Sequence, residues 1–231
     1  MIYDLNRISQ FQRESINDIP NSVTRAAVLI PLFVHEDDLY VLLTVRSSKL
    51  KSHAGEVCLP GGKKDPSDSD DIETALREAN EEIGLEARDV SKVLGLINPT
   101  LSKAYIYVQP VVAIIKDDFV PKNNPKEVDG AFSVPLSMFI STKDYNYYDI
   151  DWAGYQFRLH EFMADNYRVW GMTAQILIHL AQIVYDCKTL PFELYPEGTP
   201  NYVEWTKMHI ERVRQEEEAP SKKRRKRKRG P

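Results

Sequence analysis

This sequence predicts an α/β fold, a sandwich in which helices cover both faces of a mixed β-sheet. Two observations carry that reading. Apolar, β-branched runs of strand length recur between clusters of turn-forming residues. Among and directly after the strands, one central and one late segment have helical periodicity. That is too few for a doubly wound parallel sheet, but it suits one helical layer on each face.

Residues 1–20 read as a polar, partly helical arm ending at Pro20. Val23 to Phe33 reads as a buried strand, His35 to Asp38 as a turn, and Leu39 to Val45 as the hairpin partner. A loop with Arg46, Lys49, Lys51 and His53 follows, then a short strand into Pro60-Gly61-Gly62. The polar stretch Asp65 to Asp71 leads into a helix over about 71–83, with Ile72, Leu76, Ala79 and Ile83 as its apolar stripe. Val93 to Asn98, Ile106 to Ile115 and Ala131 to Val134 are further strands, and Pro135 opens a helical turn. The aromatic stretch Tyr145 to Asp165 forms a second hairpin, with Tyr167 and Trp170 as core aromatics after it. Thr173 to Cys187 and Tyr202 to Glu218 close the chain as helices.

Composition excludes several classes. Apolar residues make up 42%, so a packed core is expected. No apolar run reaches membrane-span length. The N-terminus lacks a secretory pattern, and Asp4, Glu14 and Asp18 are uncharacteristic of a transit peptide, which points to an intracellular protein. Cys58 and Cys187 lie far apart and read as reduced thiols. The net charge of −4 hides an asymmetry: Lys222 to Arg229 is wholly basic, and without those eight charges the rest of the chain stands at −12. An acidic body suits a cation-dependent site and disfavours non-specific nucleic-acid binding.

The chemistry is concentrated in Arg77-Glu78-Ala79-Asn80-Glu81-Glu82-Ile83-Gly84, downstream of Leu59-Pro60-Gly61-Gly62-Lys63. At about 100° per residue, Glu78 and Glu82 lie roughly 40° apart on one flank, and Glu81 sits about 60° round from Glu78. Carboxylates so placed repel one another. A hard divalent cation such as Mg²⁺, held by carboxylates together with substrate phosphates, offsets that repulsion. A solvated acidic face has the same composition. The glycine turn before the triplet and Gly84 after it favour the metal reading.

Residues 62–85 resemble the Nudix box, in which a glycine leads through a loop to a helix with Arg-Glu-x-x-Glu-Glu and a closing glycine. The loop here has one extra residue. Ser69 stands where the box has an acid eight residues before Arg77; Asp68 and Asp70 flank it, and of the two Asp70 is expected to orient Arg77. Upstream, Leu42-Leu43-Thr44-Val45-Arg46-Ser47, Lys51, Gly55 and Leu59-Pro60-Gly61-Gly62 are similar to the signature of the coenzyme A diphosphatases, including the extra loop residue. Lys51 replaces the usual Arg and Leu59 the common Phe; lysine keeps the charge but loses the bidentate fork. Pro125 to Asp129 and Val169 to Ala174 are also similar to that subfamily.

The resemblance implies a Nudix-type sandwich over residues 21–190, after the arm of 1–20 and before a helical extension, 191–218, and a disordered polybasic tail, 219–231. It implies Mg²⁺ or Mn²⁺ held by Glu78 and Glu82. Glu81, Arg77 and Glu127 would be catalytic, and Arg46, Ser47, Lys51, Gly61, Gly62 and Lys63 would bind substrate. The implied substrate is coenzyme A or an acyl-coenzyme A, cut to 3′,5′-ADP and (acyl-)4′-phosphopantetheine. Other readings stay open: another nucleoside diphosphate derivative such as ADP-ribose, NADH or capped RNA, or a non-catalytic nucleotide-binding module. Monomer and homodimer are equally compatible. The basic tail could contact nucleic acid or direct the chain to the nucleus. Kinship suggests the peroxisome, although Arg229-Gly230-Pro231 is not a Ser-Lys-Leu-type signal.

Overall fold

The computed structural model describes residues 2–14, 16 and 18–219, so the polybasic segment lies outside the described residues. In chain order the elements are α1 (Asn6–Gln10), β1 (Arg25–His35), β2 (Asp38–Arg46), β3 (Val57–Cys58), β4 (Gly61–Lys63) and α2 (Asp71–Ile83). Then come β5 (Val90–Leu96), β6 (Thr100–Leu101), β7 (Tyr107–Ile115) and β8 (Val128–Pro135), with a 3₁₀ turn at Leu136–Ile140 where Pro135 was expected to open one. The chain ends with β9 (Tyr145–Trp152), β10 (Tyr155–Ala164), β11 (Tyr167–Trp170), α3 (Gly171–Val184) and α4 (Tyr202–Glu218).

The main sheet is mixed. Its path is β3-β2-β1-β7-β5, with β4 also on β1, β6 on β7 and β8 on β2. Among the described residues β1 and β7 alone run parallel, from Arg25↔Tyr107 to Leu32↔Ile114; the other pairs of this sheet are antiparallel. β9, β10 and β11 form a second sheet.

Side-chain alternation builds the sandwich, because successive strand residues face opposite sides. Ala27 and Leu29 of β1, with Val111 and Ala113 of β7, pack against Ala75, Ala79 and Ile83 of α2. Ile30 and Leu32, with Val112, pack on the other face against Leu177, Leu180 and Ala181 of α3. The expected stripe on α2 is shifted: Ala75, Ala79 and Ile83 are fully buried, while Ile72 and Leu76 flank them half-buried. Alanines at two of these contacts let the helix backbone approach the sheet closely. α3 is buried nearly all round, because β10, β11, the 3₁₀ turn and α1 cover the side away from the sheet.

Local chemistry sets the ends of α2. Asp70 is extended and accepts a hydrogen bond from the Glu73 N–H at 2.8 Å, and Asp71 and Glu73 complement the helix dipole. At the other end Gly84 takes φ +69°, open to glycine at little cost, and its N–H caps the last carbonyls. Before β1, Ile8 is buried in the α3-side core and Arg13 donates to Gln109 Oε1 at 2.9 Å. β11 was not expected from the sequence.

Ile83 anchors the end of α2 that carries the acidic residues. Ile83→Ala should destabilise the protein by about 2–5 kcal/mol, as cavity-forming truncations do, read as a lowered midpoint in urea with unchanged m-value.

Candidate active site

The site grows from the Gly61-Gly62 turn. β4 is registered on β1 through Gly62↔Ala27 and Gly61↔Val28, so the turn is seated on the sheet with α2 beside it. A β-carbon at Gly62 would lie 2.4 Å from the Glu78 carboxylate, so only glycine leaves room for it. The Gly61 N–H donates to Glu82 Oε2 at 3.1 Å. Both carboxylates of the i, i+4 pair therefore lie against this turn. Glu82 is buried, with 5% of its surface exposed.

Arg77 holds the acidic group together. Its Nε and Nη2 each donate to Asp68, both at 2.9 Å; Nη1 donates to Glu78 at 3.0 Å and Glu81 at 3.2 Å; Nη2 also donates to the Lys63 carbonyl at 3.1 Å. The expectation that Asp70 orients Arg77 is thus corrected to Asp68. Asp70 is committed to capping α2, whereas Asp68 is turned inward and also accepts from the Asp65 N–H and the Thr74 hydroxyl. Arg77 holds the Asp68 carboxyl well below the usual carboxylate range. A legible signal existed: the extra loop residue moves the acid from eight to nine positions before Arg77.

A second loop closes the site. The Lys122 N–H donates to the Ile83 carbonyl and the Asn124 N–H to the Glu82 carbonyl, both at 2.8 Å, which brings Glu127 to the end of α2. The Ser47 N–H donates to the Glu127 carbonyl at 2.8 Å, which attaches the loop after β2 to the same segment. Burial pushes the Glu82 carboxyl up to about 8, and the charges of Glu78 and Glu127 add to the rise; the Gly61 N–H and Arg46 oppose it. Glu78 is raised for the same leading reason, desolvation, with Arg77 opposing.

Glu78, Glu82, Gly61, Gly62, Arg77, Glu127, Arg46 and Ser47 thus belong to one connected region. Arg46 has a buried Nε without a hydrogen-bond partner. Glu81 is about half exposed at its side chain and held by Arg77. Lys51 and Lys63 are exposed, and Lys63 joins the cluster through its carbonyl. His53 is exposed and bonded to Glu56, while His160 is buried between Tyr145 Oη and the Leu194 carbonyl, each at 3.0 Å, in a structural role. Tyr167 is not a core residue: it lies on the outermost strand of the second sheet, 39% exposed, stacked on Phe132 at 4.1 Å. Asn124 and Asp129 carry no sequence signal that marks them as site residues, whereas Asp68 stands in the sequence as the other acid flanking Ser69.

The donor set fits a hard divalent cation. Two carboxylates converge on a glycine turn, both have proton affinity raised by burial, and their oxygens are the ligand type Mg²⁺ and Mn²⁺ prefer. Among the described residues no three His, Cys, Asp or Glu side chains form a ready-made cage. A pair of carboxylates completed by phosphate oxygens and water is the arrangement such ions use with nucleotides.

The NUDIX domain pattern matches residues 23–151, and the chain belongs to the Nudix family. It is 47% identical over 169 residues to Nudix hydrolase 15, mitochondrial, of Arabidopsis thaliana, covering 70% of this chain and 59% of the relative. It is 43% identical to Nudix hydrolase 22, chloroplastic, of the same plant, covering 60% of that protein. The chain therefore spans about three-fifths of these plant relatives. It is 41% identical over 160 residues to an uncharacterized Nudix hydrolase, NudL, of Yersinia pestis, covering 69% of this chain and 79% of the relative. Among solved structures, a C. elegans Ap4A hydrolase binary complex aligns at 18% identity and TM-score 0.42, over 48% of this chain and 80% of that one.

The raised Glu82 carboxyl has a stability consequence. Between about pH 4.5 and 8 the unfolded chain loses this proton before the folded one, so stability falls as pH rises. In chelator, Glu82→Gln should match the wild type in Tm near pH 4.5. It should exceed the wild type by on the order of 10 °C at pH 8, since each pKa unit is about 1.4 kcal/mol and each kcal/mol about 2–4 °C for a chain of this size. Scanning fluorimetry across that range checks the sign.

Proposed function

We propose that the protein is a metal-dependent diphosphatase that hydrolyses coenzyme A and acyl-coenzyme A to 3′,5′-ADP and (acyl-)4′-phosphopantetheine. The observation that carries this reading is the bond from the Ser47 N–H to the Glu127 carbonyl. It joins the loop bearing Arg46 and Lys51 to the carboxylate cluster of Glu78, Glu82 and Glu127. Cations for phosphate and oxygens for a metal thereby share one region.

Glu78 and Glu82 would hold Mg²⁺ or Mn²⁺ against the Gly61-Gly62 turn. When bound, such an ion supplies charge neutralisation on the diphosphate and acidification of the attacking water. Arg77 fixes the carboxylates of Glu78 and Glu81 so that neither must reorganise. Glu81, partly exposed to solvent, accepts the proton of the water that attacks phosphorus, and the P–O bond of the anhydride breaks to leave a phosphate. Glu127 lends further negative charge beside Glu82. Arg46 and Lys51 neutralise the substrate's phosphates, with Gly61, Gly62 and Lys63 lining their approach; Ser47, expected to bind substrate, is instead fully buried and bonded to Glu127, Pro125 and Asp129, so it holds the loop in place. Peroxisomal residence stays part of the proposal; the plant relatives carry "mitochondrial" and "chloroplastic" in their names.

Product analysis tests the reading. The purified protein, with coenzyme A and Mg²⁺ or Mn²⁺, should release 3′,5′-ADP, and chelator should abolish the release. Glu82→Gln should lower kcat/KM by more than about 100-fold, beyond the 10–100-fold that supporting residues cost. Turnover of ADP-ribose, NADH or capped RNA without coenzyme A cleavage would discard the substrate and keep the site. Asp68→Ala should weaken Mn²⁺ affinity by roughly 10–100-fold, measured by titration, because Arg77 loses its anchor.

A further inference from the structure

Residues 122–129 are bonded at each end to a different half of the site. At one end the Lys122 and Asn124 N–H groups donate to the Ile83 and Glu82 carbonyls in the last turn of α2, both at 2.8 Å. At the other end the segment holds the start of the cationic loop. The Ser48 N–H donates to Asp129 Oδ2 at 2.8 Å, and the Ser47 hydroxyl donates to Asp129 Oδ1 at 3.1 Å and to the Pro125 carbonyl at 3.3 Å. Ser47 is fully buried although its loop is at the surface. The loop turns at once, with the Leu50 N–H on the Ser47 carbonyl at 3.1 Å, so the attachment of Ser47 and Ser48 sets the direction in which Lys49 and Lys51 leave.

Asp129 is an exposed residue whose two carboxylate oxygens are both engaged by this loop. Its carboxyl is held below the ordinary carboxylate value, first by the Ser48 N–H and further by Ser47 and the charge of Lys49. A carboxylate beside a loop that receives phosphates would otherwise repel them; here its charge is directed at hydrogen-bond donors of the loop itself.

We infer that Asp129 is a positioning residue: it clamps Ser47 and Ser48 to the Glu127 segment, and so sets how far the cations of the 46–56 loop stand from the carboxylates of α2. Asp129 controls substrate affinity rather than the rate of bond cleavage or the affinity for metal. The inference rests on the reading that this loop holds the substrate's phosphates.

The test uses the full chain with Asp129→Ala, Asp129→Asn, Lys51→Ala and the Asp129→Ala/Lys51→Ala double variant. For each, Tm, Mn²⁺ affinity, kcat and KM for coenzyme A are measured. Asp129→Ala should raise KM about tenfold, the equivalent of one charge-assisted hydrogen bond of roughly 1.4 kcal/mol, with kcat and Mn²⁺ affinity unchanged. Asp129→Asn keeps an acceptor for the Ser48 N–H and should remain near the wild type. The double variant should lose less than the two single variants together, because part of what Asp129 does it does by placing Lys51. Unchanged KM, a fall in kcat instead, additive losses in the double variant, or an Asn variant that binds more tightly than the wild type would each overturn the inference. If the wild type cleaves ADP-ribose and not coenzyme A, the substrate reading fails, and the same comparison on ADP-ribose tests Asp129 separately. If it cleaves neither, the dissociation constant of coenzyme A by calorimetry replaces KM.

Discussion

One guanidinium keeps the acidic centre of this protein in order. Arg77 binds Asp68 through two nitrogens and reaches Glu78, Glu81 and the Lys63 carbonyl with the rest of its fork. Lysine, with a single point charge, could not bridge these groups in one plane. Asp68 is itself fixed by Thr74 and the Asp65 N–H, so the arginine is tied to the loop before α2 as well as to the helix. Crowded carboxylates that would drive one another apart are thereby held for use.

The rest of the fold brings other segments to that cluster. β1 lies inside the main sheet and serves both faces, with Ala27 and Leu29 under α2 and Ile30 and Leu32 under α3. It also seats the Gly61-Gly62 turn through β4. The turn that receives Glu78 and Glu82 and the helix that presents them therefore rest on the same strand. Burial of Glu82 follows from this packing, and it stores electrostatic strain that a cation would relieve. The proposed chemistry and the stability of the metal-free fold are opposed at this residue.

Much of the fold was legible in the sequence. The apolar spacing and the Gly84 stop place α2 at about 71–83 from sequence alone, and the structure adds Asp70 as the cap that sets its start. α4 was read at the same bounds, and the capping box of Asn201 and Glu204 explains why its start is sharp. β11 was missed because four residues carry too little periodicity, and the strand exists through pairing with β10. Tyr167 was misplaced in the core, since aromatic character alone does not distinguish an outer strand from a buried one. For the candidate site, the carboxylates, Arg77 and the glycine turn were legible as a contiguous motif.

By itself, the sequence determined the α/β class, the acidic helix with its glycine turn, and membership of the Nudix family. These depend on residue types at short spacings, where helix and turn geometry act directly. Tertiary structure decided the partners of those residues: Asp68 rather than Asp70 for Arg77, the approach of Glu127 to Glu82, and the attachment of Ser47 to Asp129. Ser47 and Asp129 meet across 82 positions of chain, and Arg77 chooses between two aspartates by which one the loop turns inward. The first choice is made by packing among distant segments, which no local pattern encodes; the second is made by hydrogen-bond competition within one loop, at which the extra loop residue only hints.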